Sequence, residues 1–191
     1  IQLLLDLMRR EDITANDTIE VARILYSLSS QGTPEQQETI QTMLMLAKRR
    51  DIPFRDTVEA AHALYVESPR GSQERQQAVE MLLTQARWPD TTAAQAQEAI
   101  LALCYASSYR SKENQQGIQV LIELTRRPGL TFEDVIILEN DHNILYTLKA
   151  LKQQLLVAKK QMWEILMRRT DLTPEQRTQA TNTLADYKQW E

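Results

Sequence analysis

The stretch Asp17-Thr-Ile-Glu-Val-Ala-Arg-Ile-Leu-Tyr26 recurs further along the chain as Asp56-Thr-Val-Glu-Ala-Ala-His-Ala-Leu-Tyr65. A similar sequence motif that recurs at a fixed period is the signature of an array in which one structural unit is repeated along the chain. Corresponding segments surround Ile13, Ile52, Thr91, Leu130 and Leu172. The first four of these positions are equally spaced, whereas the last interval is slightly longer, so the period changes near the end.

The first half of each unit has the spacing of an amphipathic helix. In the second unit, Ile40, Met43 and Leu44 stand at positions i, i+3 and i+4, which places them on one helix face. Pro34 occupies the expected first helical position, where its missing N–H has no cost. Before these helices we expect hydroxyl side chains that accept hydrogen bonds from the first-turn amides. The candidates, which recur with the same period, are Thr33, Ser72 and Ser111.

The second half of each unit opens with a helix-capping pattern. Thr92-x-x-Gln95 places a hydroxyl three residues before a side chain that can reach back to the cap, which is the arrangement of a capping box. Pro53 replaces the hydroxyl in the second unit. We expect Gly32 and Gly71 to close this second helix, because glycine readily adopts positive φ. The other boxes are Thr14-x-x-Asp17, Thr131-x-x-Asp134 and Thr173-x-x-Gln176.

The composition agrees with a helical array. Four glycines and six prolines in 191 residues cannot supply the turns of a many-stranded sheet protein. We therefore predict an all-α fold, a right-handed α-α superhelix (solenoid) of about 4.5 helical-hairpin repeats with a 39-residue period. We place the repeats at about 1–32, 33–71, 72–110, 111–152 and 153–191, within a single helical-repeat domain that covers 1–191.

The last part of the chain departs from the pattern. No Gly or Pro occurs between Phe132 and Arg169, and an apolar stripe continues through this segment. We expect an atypical long helix from about Asn143 toward Arg169, acting as a junction or as a docking helix. The final segment is rich in Thr, Gln and Asn, which predicts a polar cap at the C-terminal end.

Three further observations concern the extent of the chain, its relation to membranes and its cellular compartment. Ile1 already belongs to the apolar face of a helix, so we expect the chain to be a fragment of a longer protein. No apolar run approaches the ~20 residues that span a bilayer, so we predict no membrane association. A single cysteine, Cys104, fits a reducing compartment, and we expect a cytoplasmic protein.

Basic residues recur at two adjacent positions of the unit, at the predicted ends of the first helices. A cation in a last helical turn is favoured by about 0.3–1 kcal/mol through the helix dipole, so repetition alone explains these columns. Neighbouring aspartates, such as Asp12 and Asp51, would offset the charge. Alternatively, the positions form a ridge that binds phosphate groups or an acidic peptide, with Trp88 as a stacking surface. The candidate anion ridge consists of Arg9, Arg10, Lys48, Arg49, Arg87, Trp88, Arg126, Arg127, Arg168 and Arg169.

The net charge disfavours nucleic acid as the partner, since 22 Lys and Arg stand against 26 Asp and Glu, giving −4. Catalytic patterns are weak as well. His62 and His142 occupy different repeat positions, and Glu139 with His142 supplies only two metal ligands on one helix face. Cys104 follows an apolar residue and is interpreted as a small core residue. We predict no catalytic residues, no metal and no cofactor, leaving an enzyme site assembled across repeats as the least favoured alternative.

The second-helix stretches quoted above, Asp17 to Tyr26 and Asp56 to Tyr65, resemble the second helix of HEAT-type repeats. The resemblance is clear from Ile1 to about Leu130 and looser beyond. It implies a scaffold or recognition surface, similar to the helical-repeat arms that some bacterial signalling proteins carry as sensors. In HEAT-like arrays the second helices line the concave side.

We therefore predict a protein-protein interaction scaffold or sensor arm without catalysis, whose partner is another protein or another domain of the parent chain. Binding of nucleic acid or another anion through the Arg/Lys ridge is the alternative. The candidate partner-binding residues lie between the packing positions of the second helices. They are Glu20, Arg23, Ser27, Glu59, His62 and Val66.

Overall fold

The computed structural model describes residues 1–107, 111–127, 130–139 and 152–188. These residues form ten α-helices and no β-strand, so the predicted all-α class is confirmed. The helices are α1 (Gln2–Met8), α2 (Ala15–Leu28), α3 (Pro34–Lys48), α4 (Phe54–Glu67), α5 (Gln73–Ala86), α6 (Ala93–Ala106), α7 (Lys112–Leu124), α8 (Phe132–Glu139), α9 (Lys152–Met167) and α10 (Pro174–Lys188).

The helix boundaries follow the sequence period. Helices α3, α5 and α7 begin one full period apart from one another, and so do α2, α4, α6 and α8. Some residues at equivalent positions are also buried alike: Leu25, Leu64 and Leu103 are all completely enclosed. The periodic apolar residues therefore supply the core that each helix needs, because most helix stability in proteins comes from packing an apolar face.

Hydroxyl caps fix the beginnings of the first helices as predicted. Ser72 Oγ accepts a hydrogen bond from the backbone amide of Arg75 at 3.2 Å. Thr33 and Ser111 accept the same bond from the amide three residues further on. Pro34 occupies the first turn of α3. Each cap satisfies an amide that the helix itself leaves without a partner, a contribution of about 1 kcal/mol.

Reciprocal capping boxes begin several of the second helices. Thr92 Oγ1 accepts from the Gln95 amide at 3.2 Å, and Gln95 Oε1 accepts from the Thr92 amide at 3.0 Å. Thr131 and Thr173 form the same pair of bonds with the residues three positions later. The predicted start sites of α6, α8 and α10 are therefore confirmed at the level of individual hydrogen bonds.

The two glycines in the turns have the predicted backbone conformation but a different role. Gly32 and Gly71 adopt φ values of +79° and +80°. The prediction that they close the preceding helices is wrong, because α2 ends at Leu28 and is followed by Ser29 in an extended conformation. The Ser29 amide still reaches back into α2, so no left-handed residue is needed there. The left-handed conformation is needed in the turn that leads into the next helix, where the Gly32 amide donates to Gln36 Oε1 at 2.8 Å.

The chain divides into two compact units, Ile1–Gln85 and Ala86–Glu191. In the first unit, α2 packs against α1, α3 and α4, and α3 packs against α4. The second helices of two consecutive hairpins, α2 and α4, are therefore direct neighbours. Buried alanines such as Ala22 and Ala61 lie on these helices and leave room for a close approach.

In the second unit, α6 packs against α7 and α8, while α9 packs against α7, α8 and α10. Helix α7 comes close to α6 at Gly117, where an added Cβ would lie 3.2 Å from Ile100 Cγ2. The Phe132 ring meets the Trp163 ring edge to face, with centroids 5.7 Å apart. These contacts form an apolar core shared by α6 to α9.

The C-terminal helices correspond in part to the sequence expectations. Helix α9 runs from Lys152 to Met167. The earlier part of the predicted long helix, from Asn143 to residue 151, lies outside the described residues. Helix α10 is largely exposed and polar, with Ala180 as its buried residue among those described.

Gln85 is a completely buried polar residue at a position that the repeat fills with leucine elsewhere, at Leu46 and Leu124. Its Nε2 donates to the backbone carbonyls of Ala47 and Thr57, both at 2.8 Å. One side chain thus joins the end of α3 and the first turn of α4 to α5. Because buried carbonyls are costly to leave without a donor, Gln85 stabilises this part of the first unit.

Replacement Gln85→Leu is expected to lower the free energy of unfolding by about 1–3 kcal/mol, because the new side chain restores the repeat's apolar residue but donates to neither carbonyl. Urea unfolding measures the change. Gln76→Leu, an exposed substitution on the same helix, is the control and should change stability by less than about 0.5 kcal/mol. An unchanged or increased stability of Gln85→Leu would contradict the assigned role.

Candidate binding surfaces

The predicted partner-binding residues occupy the outer face of α2 and α4. Glu20, Arg23 and Ser27 lie on α2 and are exposed or half-buried. Glu59, His62 and Val66 occupy α4 at the equivalent positions of the next unit and are likewise accessible. Since α2 and α4 pack side by side, the two rows form one surface, called the α2/α4 face below.

Arg23 joins the two helices electrostatically. Its Nη1 lies 3.3 Å from Glu20 Oε1 on its own helix and 3.9 Å from Glu59 Oε1 on α4. Its Nε lies 3.9 Å from Glu67 Oε1, at the end of α4. These pairs are accessible to water, so each contributes little to stability. Their consequence is that a single guanidinium is shared among three carboxylates.

Glu67 was not among the residues predicted for this surface. It follows Val66 directly, and it lies eight residues, or just over two helical turns, after Glu59. The recurrence of an acidic residue at this helical spacing could have suggested it. Glu67 is not a repeated feature, because the equivalent position in α2 is Leu28.

His62 lies beside this cluster, with its Nδ1 3.9 Å from Glu59 Oε2. Burial lowers the pKa of His62; the Glu59 charge opposes this effect, and the Arg23 charge adds to it. The imidazole is therefore neutral at pH 7 and does not compensate the carboxylates around it. At 3.9 Å the Glu59 oxygen is too far for a hydrogen bond that would orient the ring as a catalytic base.

Aliphatic side chains are exposed on the same two helices. Ile24 is 47% exposed, Leu28 is 58% exposed and Val66 is 47% exposed. Ile24 and Leu28 are four residues apart and so share one side of α2. Of these three, only Val66 was predicted from the sequence, because Ile24 and Leu28 have Ala63 and Glu67 at the equivalent positions of α4 and are not a repeated feature.

A shallow recess of about 500 Å³ lies on the α2/α4 face, beside the N-terminal halves of the two helices. It is lined by Asn16, Glu20, Arg55, Asp56 and Glu59. Three of these five side chains are carboxylates, and Asp56 also belongs to the first turn of α4. The recess is therefore acidic, and it lies on the same two helices as the exposed aliphatic residues.

The basic positions lie at the ends of the first helices, as predicted. Arg9 follows α1, Lys48 ends α3, and Arg87 follows α5. Most of their charge is compensated within the described chain. Ion pairs link Arg9 with Glu38, Arg87 with Glu123, Arg10 with Asp12, Arg49 with Asp51, and Arg169 with Asp171.

Local pairing accounts for three of these arginines. In each, the guanidinium reaches the aspartate two residues further along the turn. The hydrogen bond from Arg49 lowers the pKa of Asp51 to about 2. Glu38 and Glu123, which pair with Arg9 and Arg87, were not predicted because they lie 29 and 36 residues away in sequence.

Two arginines of the ridge bind backbone carbonyls of the preceding turn. Arg127 Nη1 donates to the Thr91 carbonyl at 2.9 Å, and its Nη2 donates to the Trp88 carbonyl at 3.0 Å. Arg169 Nη1 donates in the same way to the Leu130 carbonyl, one period earlier in the chain. These side chains hold consecutive turns of the second unit in register, and Trp88 itself is half-buried.

The remaining ridge residues are exposed: Lys48, Arg126 and Arg168 project into solvent. A ridge that recruits nucleic acid needs mostly uncompensated cations, because release of counterions from phosphate drives such binding. The observed contacts instead indicate that the basic residues stabilise the ends of the first helices and attach one turn to the preceding one.

Arg127→Lys is expected to lower the free energy of unfolding by about 1–2 kcal/mol, because a single ammonium cannot bridge two carbonyls as the guanidinium fork does. Denaturant unfolding measures the loss. Arg126→Lys, at the exposed neighbouring position, provides a control with the same chemistry and should leave stability unchanged within about 0.5 kcal/mol. Equal effects of the two substitutions would show that the carbonyl bridge is unimportant.

Cys104 is buried on α6, as predicted, and burial raises the pKa of its thiol to about 12. A thiol with this pKa is not a nucleophile near neutral pH. His142 lies outside the described residues, so its proposed pairing with Glu139 is not described. The described side chains include no group of three or more His, Cys, Asp or Glu residues that could hold a metal ion.

Comparison with protein-family models, with curated proteins and with solved structures found no match for this chain. In the described part of the chain, none of the helices has the length and apolar character required to cross a membrane. The α2/α4 face and the basic positions are the two surfaces that the sequence predicted as binding sites. Of the two, the α2/α4 face is formed by the helices that carry the exposed apolar side chains of Ile24, Leu28 and Val66.

Proposed function

We propose that this protein is a helical-repeat recognition module that binds another protein, or another domain of a parent chain, through the α2/α4 face. It acts as a scaffold or sensor arm, without catalysis, and works in the cytoplasm. Its hairpins are arranged as a right-handed, HEAT-like solenoid. The regular spacing of the helix starts and the side-by-side packing of α2 and α4 support this arrangement.

The observation that carries the proposal is the exposure of Ile24, Leu28 and Val66 on two adjacent helices. Single exposed aliphatic residues are common on protein surfaces, but several of them on two packed helices, together with charged residues, are a feature of interaction sites. Here the charged residues are the cluster around Arg23, which lies on the same two helices. Covering these side chains with a partner would remove apolar area from water and supply the main favourable contribution to binding.

Anion binding through the basic positions is the second candidate. The exposed Lys48, Arg126 and Arg168 favour it, while the ion pairs of Arg9, Arg10, Arg49, Arg87 and Arg169 weigh against it. An enzyme site assembled across repeats has less support still. The buried Cys104 thiol and the 3.9 Å separation of His62 from Glu59 give it no activated nucleophile or base.

Selection from a random-peptide display library tests the proposal directly. Peptides selected on the wild-type protein are expected to lose at least about tenfold in affinity for the Ile24→Ser/Leu28→Ser/Val66→Ser variant, because the exposed apolar contacts of both helices are removed. Affinity is measured by fluorescence anisotropy, with circular dichroism verifying that the variant is folded.

The matched control is Leu3→Ser/Met45→Ser/Val157→Ser, which removes three comparably exposed apolar side chains from α1, α3 and α9. This variant should bind the selected peptides as tightly as the wild type. If the control loses affinity and the α2/α4 variant retains it, the recognition surface lies elsewhere and the proposal is wrong.

A further inference from the structure

The geometry points to the chemical class of the partner: we propose that the α2/α4 face binds a cationic amphipathic segment, in which aliphatic side chains alternate with Lys or Arg. This inference rests on the proposed function and specifies its ligand. The aliphatic residues would cover Ile24, Leu28 and Val66, and the cations would meet the surrounding carboxylates.

The positions of the exposed apolar residues determine which contacts such a segment can make. Ile24 and Leu28 stand one helical turn apart on α2, and Val66 lies on the neighbouring α4. A partner that spans both helices therefore has aliphatic side chains available on each of them. Amphipathic segments with anchors at i, i+3, i+4 and i+7 present a matching row of side chains.

The charge on the α2/α4 face is negative and unbalanced. Four carboxylates, those of Glu20, Asp56, Glu59 and Glu67, share the face with two guanidinium groups, those of Arg23 and Arg55. His62 is neutral at pH 7, because burial lowers its pKa, and it adds no compensating charge. The excess of negative charge attracts a basic ligand and repels an acidic one.

The recess gives the cation a defined position. Its volume of about 500 Å³ is large enough to admit the end of a Lys or Arg side chain. Glu20 and Glu59 line it from the two helices, and both are also neighbours of Arg23. An incoming cation would therefore compete with Arg23 for these two carboxylates.

This competition separates the proposed ligand from other occupants. An acidic segment would be drawn to Arg23 but repelled by the carboxylates that surround it. A second copy of this chain, placed face to face, would bring the same acidic groups together. The structure therefore favours a basic partner over either.

The test uses three synthetic amphipathic peptides of about 14 residues, with the same leucine positions and with Lys, Gln or Glu at all the others. Their binding to the ¹⁵N-labelled full chain is followed by amide chemical shifts. The Lys peptide should bind most tightly and perturb α2 and α4. The Glu peptide should bind most weakly, and added salt should weaken binding of the Lys peptide.

Three variants test the role of charge. Glu20→Gln/Glu59→Gln should weaken binding of the Lys peptide by about 3- to 10-fold, through loss of attraction. Arg23→Gln should strengthen it by a similar factor of about 3 to 10, because the internal competitor is removed. Glu80→Gln/Glu164→Gln changes the net charge equally at exposed positions on α5 and α9 and should have less than a twofold effect. A purely structural role of the cluster predicts losses in both of the first two variants.

The outcomes distinguish this inference from the proposed function. If the Gln or Glu peptide binds the α2/α4 face as tightly as the Lys peptide, the cationic preference is wrong and the binding surface stands. If the Lys peptide binds the Ile24→Ser/Leu28→Ser/Val66→Ser variant unchanged, both are wrong. Concentration-dependent self-association that perturbs α2 and α4 would identify a second copy as the occupant and would also overturn the inference.

Discussion

Burial of one apolar side of each helix against a neighbouring helix is the constraint on which this structure depends. The helices are short, so their own hydrogen bonds stabilise them only marginally, and each requires a neighbour to cover its leucines and alanines. The repeated sequence supplies such apolar residues to each hairpin: Leu25, Leu64 and Leu103 occupy equivalent positions, and all three are buried. Packing of α2 against α4 follows from it, and so does the surface that these two helices turn outward.

Polar side chains add a second level of organisation at the helix ends. Gln85, Arg127 and Arg169 each donate to backbone carbonyls that lie 28 to 39 residues earlier in the chain. Such bonds bury little apolar area, yet they fix how one turn is placed against the previous one within its own unit. The basic residues that resemble an anion-binding column in sequence are, for the most part, used in this way or in local ion pairs. Repetition of a charge is therefore weak evidence for a ligand when most copies have a structural partner.

The helices and their starting points could be predicted from the sequence because both depend on local chemistry. Thr33, Ser72 and Thr92 form the hydrogen bonds that their residue types and spacing indicated. The end of α2 could not be predicted in this way, since Ser29 closes it in an extended conformation and Gly32 serves the following turn. The six candidate binding residues are exposed or half-buried on α2 and α4, whereas the accessible Glu67, Ile24 and Leu28 were not singled out, because these residues are not shared between repeats. Long-range pairs such as Arg87 with Glu123 depend on packing that no local pattern encodes.

Direct packing of α2 against α4 is the feature on which the proposed binding surface depends most, because it brings Arg23 of α2 to Glu59 and Glu67 of α4. Nuclear Overhauser effects between methyl groups in a selectively labelled sample measure this arrangement. Cross-peaks are expected between methyl groups of buried residues on α2 and methyl groups of buried residues on α4, because the two helices are in direct contact. If the α2 methyl groups show cross-peaks to α1 and α3 but none to α4, consecutive second helices are not adjacent, and the proposed binding surface does not exist.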